Sequence, residues 1–265
     1  GTGLLAVLPI VATIGILGVG HLARLMVRGW QGAGHSFILS PRGEETAQSL
    51  ADQFGAKVAY SNQEVIDQSD AVFVSLPAAT GAAELAGLTF RSGQPVLSAM
   101  AGTGLSRLTA AIGSARGAVC MMPGYANAYR VGPSILFPAH DFWVEALSFV
   151  GPVHVLESEE KFTLAATFGA LSGASIGWMA HLIEWYVDQG LDPQTARALV
   201  SGTLRGNAEV LMQEACPLSE ISKGVATPGG ITGQLLGVLG QRGGLDAWDE
   251  GLLSVLRRIS GKAIV

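Results

Sequence analysis

The stretch Thr13-Ile14-Gly15-Ile16-Leu17-Gly18-Val19-Gly20-His21-Leu22-Ala23 constrains this chain more than any other. It reads as a short apolar strand, a glycine turn, and a helix opening near Leu22. Gly18 permits the tight turn, Gly20 lets the backbone approach a pyrophosphate, and Ala23 lets the helix lie close on the strand. Free N–H groups at the positive end of that helix would face the phosphates, with Val19, His21 and Leu22 beside them. Glycine turns between strand and helix are common, so the flanks carry the argument. An apolar run precedes the turn, and the helix that follows sets Leu22, Leu25 and Met26 against Arg24 and Arg28. The expectation is a nicotinamide or flavin nucleotide site rather than a purely structural turn.

Hydrophobic residues make up 49% of the 265 residues and charged ones only 14%, so the chain can bury a large core with little charge left for its surface. That balance favours an oligomer that hides further apolar area. The formal charge of −5 is spread out, and no basic face offers itself to nucleic acid. Cys120 and Cys216 have no metal-ligand or redox spacing and the five histidines are scattered, so no metal site is expected and a reducing cytoplasm is the default. Two segments resemble membrane spans. Residues 1–20 are uncharged, but they contain Pro9 and end in the nucleotide-binding strand. Phe162 to Ile183 carries no charge and spaces Gly169, Gly173 and Gly177 four apart. In lipid that spacing packs helices closely; here it is read as a buried helix of a soluble protein, not a membrane span.

Up to residue 157 short apolar runs alternate with helical patterns, the signature of an α/β fold in which helices cover both faces of a parallel sheet. Strands are expected at Thr13–Leu17, Ser36–Leu39, Lys57–Tyr60, Ala71–Ser75, Pro95–Ala99, Ala118–Met121 and Val153–Leu156. Helices are expected at Leu22–Arg28, Glu44–Phe54, Asn62–Gln68, Gly104–Ile112 and Phe142–Phe149, with Ser61 or Asn62 capping the third. From Ser158 the pattern is helical throughout. The reading is therefore a Rossmann-like nucleotide-binding domain over 1–157 and an all-helical domain over 158–265.

The second strand ends in Leu39-Ser40-Pro41-Arg42, where NAD-selective folds place an acidic residue for the ribose hydroxyls. A hydroxyl and a guanidinium suit a 2′-phosphate, which a carboxylate would repel. Ser40 and Arg42 thus predict NADP(H) over NAD(H), against the alternative that Arg42 is an ordinary exposed loop residue. In the helical half, Thr227-Pro228-Gly229-Gly230-Ile231-Thr232 ends one helix and begins another. Consecutive glycines leave backbone N–H groups unobstructed, and the flanking threonines complete a nest for a small carboxylate.

Taken with these motifs, the chain resembles the pyrroline-5-carboxylate reductase family from about Thr13 to the C-terminus. The landmarks are the opening glycine turn, Leu39-Ser40-Pro41-Arg42, Ala71 to Pro77, Ser98-Ala99-Met100-Ala101-Gly102, Met121-Met122-Pro123, Ala170-Leu171-Ser172-Gly173, and Val225 to Thr232. The last is the most specific. The resemblance implies a helical C-terminal dimerisation domain and reduction of a cyclic imine acid to proline by NAD(P)H in a homodimer or larger homo-oligomer. It also implies that Thr227, Gly229, Gly230 and Ile231 hold the substrate carboxylate, while Thr232 hydrogen-bonds the ring nitrogen as the catalytic contact. Met100, Ala101 and Gly102 would line the nicotinamide, and Leu76 and Pro77 would pass beneath the diphosphate-ribose arm.

The departures fall on motifs that face cofactor and substrate. Leu76-Pro77-Ala78 stands where the family has Lys-Pro-Gln, and Met122-Pro123-Gly124-Tyr125-Ala126 where it has Met-Pro-Asn-Thr-Pro. Ser172 to Trp178 departs from its Ser-Gly-Ser-Gly-Pro-Ala-Tyr, and Ile231 replaces the first threonine after Pro-Gly-Gly. Tyr125 and Trp178 either reshape the pocket for another imine or keto acid or are packing substitutions. Two rival readings stay open. A 3-hydroxyacid dehydrogenase-like oxidoreductase needs a lysine from the interdomain helix, where only Lys161 is near. A non-catalytic NADP-binding regulatory protein would keep the fold without the reaction. His181, Cys120 and Cys216 are expected in the core.

Overall fold

A computed structural model describes residues 11–261 of the chain; the leading residues 1–8, with Pro9, lie outside them. The chain divides into two units, one running to Gly169 and taking in the chain from Leu256, the other spanning Ala170–Val255.

The first unit alternates strand and helix: β1 (Thr13–Leu17), α1 (His21–Gly29), β2 (Ser36–Leu39), α2 (Glu44–Phe54), β3 (Lys57–Val58), α3 (Asn62–Asp67), β4 (Ala71–Val74) and α4 (Gly81–Ala86). It continues through β5 (Pro95–Ser98), α5 (Leu105–Ile112), β6 (Arg116–Met121), α6 (Tyr125–Ala128), β7 (Ser134–Phe137), α7 (Asp141–Ser148), β8 (Val153–Val155) and α8 (Glu159–Ala165). The strands form one sheet in the order β3-β2-β1-β4-β5-β6-β7-β8. The order reverses between β1 and β4, which opens a crevice at the carboxyl ends of those strands where ligands bind in such sheets.

Side-chain alternation explains why both faces are covered. Ile14, Ile16, Phe37, Leu39, Phe73 and Leu97 pack on one face with Met26 of α1, Leu50 of α2 and Trp143 of α7. Leu17, Ile38, Val72, Val74, Val96 and Val119 point the other way, onto Val65 of α3, Leu85 of α4 and Leu108 of α5. Strands buried on both sides read as unbroken apolar runs. Gly15 allows a close approach of α3: a Cβ there would fall 2.8 Å from Val65 Cγ1 and 2.7 Å from Ser69 Oγ.

The structure corrects several expectations. The sheet is not wholly parallel, because β7, absent from the sequence reading, runs antiparallel to β6. Its four residues sit between Gly132-Pro133 and Pro138, punctuation that reads as loop. The one-turn helix α6 and the six-residue α4 were also not anticipated. β3 stops at Val58 rather than Tyr60, since the Tyr60 N–H donates to Glu64 Oε2 at 2.6 Å. Ser61 caps α3 by accepting the Glu64 N–H at 3.1 Å.

The second unit is helical: most of α9 (Phe168–Asp188), then α10 (Pro193–Gln213), α11 (Leu218–Val225), α12 (Ile231–Gln241) and the greater part of α13 (Asp246–Ile259). Its apolar side chains are poorly covered. Among the described residues of Ala170–Val255 only Ala196 and Val200 are buried hydrophobics, while Ile176, Leu235 and Val238 are exposed. Glu159–Asp188 is long and apolar enough to cross a membrane by length and composition, yet only 6% of its apolar window is buried. The burial expected for this helix is therefore not seen among the described residues. His181 is exposed and Cys216 only half-buried, contrary to expectation; Cys120 is buried.

Candidate dinucleotide and substrate sites

The turn between β1 and α1 shows why each residue stands where it does. Gly18 has φ +86°, and a Cβ there would lie 2.7 Å from the carbonyl carbon of Ser75. The Ser75 hydroxyl donates to the Gly18 carbonyl at 2.6 Å, tying the turn to the end of β4. Gly20 differs in kind: a Cβ on it would meet nothing within 4 Å. It is the N-cap of α1, without a side-chain cap and with no acidic residue in the first turn. The positive end of α1 is thus open and unneutralised, which fits an anion such as a dinucleotide diphosphate. Ala23 is fully buried under the sheet, Val19 is buried, Leu22 half-buried, and His21 exposed at the first helical position.

Beyond β2, Ser40 and Arg42 part company. Ser40 is 1% exposed; its hydroxyl donates to Asn62 Oδ1 at 2.6 Å and accepts the Arg42 N–H at 3.4 Å. Arg42 extends outward and pairs with Glu84 Oε2 of α4 at 3.1 Å. Sequence reasoning did not single out Asn62 or Glu84 here, because both arrive from later crossovers.

Just after β4, Leu76 is buried in the core and Pro77 beside it is exposed. Met100 is buried and donates its N–H to Ser98 Oγ at 3.2 Å, whereas Ala101 and Gly102 are exposed, Gly102 with φ +76°. This loop opens a cleft lined also by Val119, Cys120, Phe162 and Thr163. Glu159 borders the same cleft and accepts the Leu105 N–H at 2.7 Å, capping α5 from the first turn of α8. Burial raises the Cys120 thiol far above its ordinary range, so it stands there as an inert apolar group. Tyr125, one of the departures, is 59% exposed and meets the His21 ring edge-on at 4.9 Å between centroids. Lys161 is ion-paired with Glu157 on the surface, a poor place for the acid–base lysine of a hydroxyacid dehydrogenase. No group of three or more His, Cys, Asp or Glu able to hold a metal is found among the described residues.

In the second unit, the segment from Thr227 to Thr232 joins α11 to α12. Gly229 takes φ +72°, and the Gly230 N–H donates to the Thr227 carbonyl at 3.0 Å. A Cβ on Gly230 would lie 2.6 Å from Thr227 Oγ1, so only glycine lets this threonine fold over the turn. α12 opens at Ile231 without a side-chain cap or an acidic first turn, again an open positive helix end. Ile231 is 86% exposed and Thr232 half-buried beside it. Trp178, another departure, packs edge-on against Trp248 at 6.5 Å.

Residues 13–102 match the family described as NADP oxidoreductase coenzyme F420-dependent, and residues 163–261 match pyrroline-5-carboxylate reductase dimerisation. The chain is 28% identical over 241 residues to a pyrroline-5-carboxylate reductase of Corynebacterium melassecola, covering 83% of this chain and 87% of that one. It is 27% identical to a Glycine max enzyme of the same name, over 83% and 85% of the two chains. In fold it is similar to the Streptococcus pyogenes 1-pyrroline-5-carboxylate reductase, with a TM-score of 0.84 at 22% identity over 95% and 99% of the chains. The Plasmodium falciparum pyrroline carboxylate reductase, solved with NADP bound, superposes with a TM-score of 0.80 at 15% identity over 94% and 95%. With the dimerisation match over residues 163–261, the NADP oxidoreductase match over 13–102 and the curated relatives, the chain is a member of the pyrroline-5-carboxylate reductase family of NAD(P)-dependent oxidoreductases.

Proposed function

We propose that this protein is an NADPH-dependent reductase of a small cyclic imine acid, pyrroline-5-carboxylate to proline or a close analogue, and that it works as a homodimer or larger homo-oligomer. One observation carries the reading: two helices, α1 and α12, each begin behind a glycine turn with no side-chain cap and no acidic first turn. The first suits a diphosphate and the second a carboxylate. NADP(H) selectivity rests on Arg42 beyond β2 in place of an acidic residue, with Ser40 and Asn62 fixing the turn that presents it. The functional boundary is placed near residue 157, after which the described chain is entirely helical.

The reduced nicotinamide supplies a hydride to the imine carbon when bound. The protein's share is position and a dry site. The backbone of Ala101 and Gly102 would line the ring, and the N–H groups of Ile231 and Thr232 at the uncapped start of α12 would hold the carboxylate beside Thr227. The Thr232 hydroxyl orients the protonated ring nitrogen, so the imine enters with its proton and no separate acid is needed. The uncovered apolar faces of α9, α10 and α12 are buried against a second copy. A cytoplasmic setting fits the two free cysteines.

The test is a panel of cyclic imine acids and keto acids assayed with NADPH and NADH and ranked by kcat/KM. Pyrroline-5-carboxylate or a ring homologue should lead, with NADPH preferred. NADPH binding without oxidation by any member would leave a regulatory protein instead.

A further inference from the structure

We propose that Glu84 tempers the cofactor preference of this protein by competing for Arg42, so that NADPH is favoured over NADH only modestly. The inference rests on the NADP(H) reading of Arg42 given above. The end of β2 lacks the carboxylate that would take ribose hydroxyls, because Ser40 stands there and turns its hydroxyl inward to Asn62 Oδ1 at 2.6 Å. A carboxylate nevertheless reaches the same place from α4. Glu84 Oε2 lies 3.1 Å from Arg42 Nη1, and its Oε1 accepts from the Thr80 hydroxyl at 3.2 Å. The Glu84 side chain is 25% exposed and that of Arg42 72%, so Glu84 is the anchored half of the pair and Arg42 the swinging half.

This arrangement acts on the two cofactors with opposite sign. A 2′-phosphate must draw Arg42 from Glu84 and then remain near an uncompensated negative charge. A 2′-hydroxyl can donate to a carboxylate. Removing the Glu84 charge should therefore tighten NADPH and loosen NADH. Exposed ion pairs are weak and salt-screened, so the ratio of affinities moves by about fivefold and moves less as salt is raised.

The experiment measures Kd for NADPH and for NADH by nicotinamide fluorescence titration of the full chain, which requires no knowledge of the substrate. The ratio is taken on one preparation, so any loss of folded protein cancels. Glu84→Gln should raise the preference for NADPH about fivefold and Arg42→Gln should lower it about tenfold. Glu45→Gln removes a nearby exposed charge of the α2 first turn and should change it less than Glu84→Gln. An unchanged ratio in Glu84→Gln beside a lowered one in Arg42→Gln overturns the role of Glu84 while keeping the NADP(H) reading. Equal shifts in Glu84→Gln and Glu45→Gln would reduce the effect to general field and overturn it too. An unchanged ratio in Arg42→Gln removes the NADP(H) reading itself, and this inference with it.

Discussion

In the first unit Trp30, Phe73 and Trp143 are fully buried against the sheet, whereas the described residues of Ala170–Val255 bury only Ala196 and Val200 among their hydrophobics. The glycines repeat the contrast. Gly15, Gly18, Gly117 and Gly169 are each crowded by neighbours that a Cβ would strike, but Gly173, Gly177, Gly202 and Gly206 face open space. In the sheet unit the close approaches that glycine permits are already used by the same chain. In the helical unit they are left over, beside exposed Leu and Ile side chains whose burial is worth about 1.5–3 kcal/mol each. The lesson is that one unit covers its apolar side chains within a single chain, while the described residues of the other leave most of theirs exposed.

The sharpest way to break this comparison is a charge on the uncovered face. Ile176 is 65% exposed in the single chain, so Ile176→Glu should leave the first unit intact. If a second copy covers α9, a buried unpaired charge costs about 3–5 kcal/mol. Sedimentation should then show monomer, with activity down at least about 100-fold; an active dimer would refute the covering copy. In the proposed site Thr232→Val would remove a hydrogen bond to a charged nitrogen, and it should lower kcat about 10-fold to 100-fold at unchanged NADPH affinity.

Two glycines two residues apart sharpen the first half of the comparison. Gly18→Ala places a side chain at φ +86° against the Ser75 backbone and should destabilise the fold by about 3 kcal/mol in denaturant titration. Gly20→Ala meets no protein atom within 4 Å, so it should cost stability less than about 1 kcal/mol while weakening NADPH binding about tenfold. Unchanged NADPH affinity in Gly20→Ala would remove the diphosphate from this turn.

The smallest effect expected is a pH dependence. His140 is buried and neither ring nitrogen has a partner. Burial first, and Arg116 second, hold its pKa below the ordinary 6.5, against the pull of Asp141. The folded state keeps it neutral while the unfolded chain gains a proton below pH 6.5. Stability is therefore unaffected above that pH and is lost as pH falls from there toward the folded pKa. His140→Phe should flatten this slope by a few degrees of Tm, on the order expected for one such group.

Much of the sheet unit was legible because its constraints are local. Gly18, Gly20 and Ala23 have fixed spacing, and the buried strands read as apolar runs. β7 was not, since four residues between prolines carry too little pattern. The turn beyond β2 was half legible: Arg42 is adjacent to its strand, but Asn62, which turns Ser40 inward, and Glu84, which pairs with Arg42, come from elsewhere in the chain. In the helical unit the Pro-Gly-Gly turn was plain, while the exposure of α9 was not. An apolar helix destined for a partner has the same composition as one destined for its own core.

The central claim is the proposed reaction itself, hydride transfer from NADPH to the carbon of a cyclic imine acid. It is tested most directly by incubating the protein with pyrroline-5-carboxylate and NADPH carrying deuterium at either face of C4, and weighing the proline formed. The account predicts one deuterium at C5 of proline from one of the two labelled cofactors. Undeuterated proline from both, or no proline with the cofactor bound and unoxidised, would contradict it.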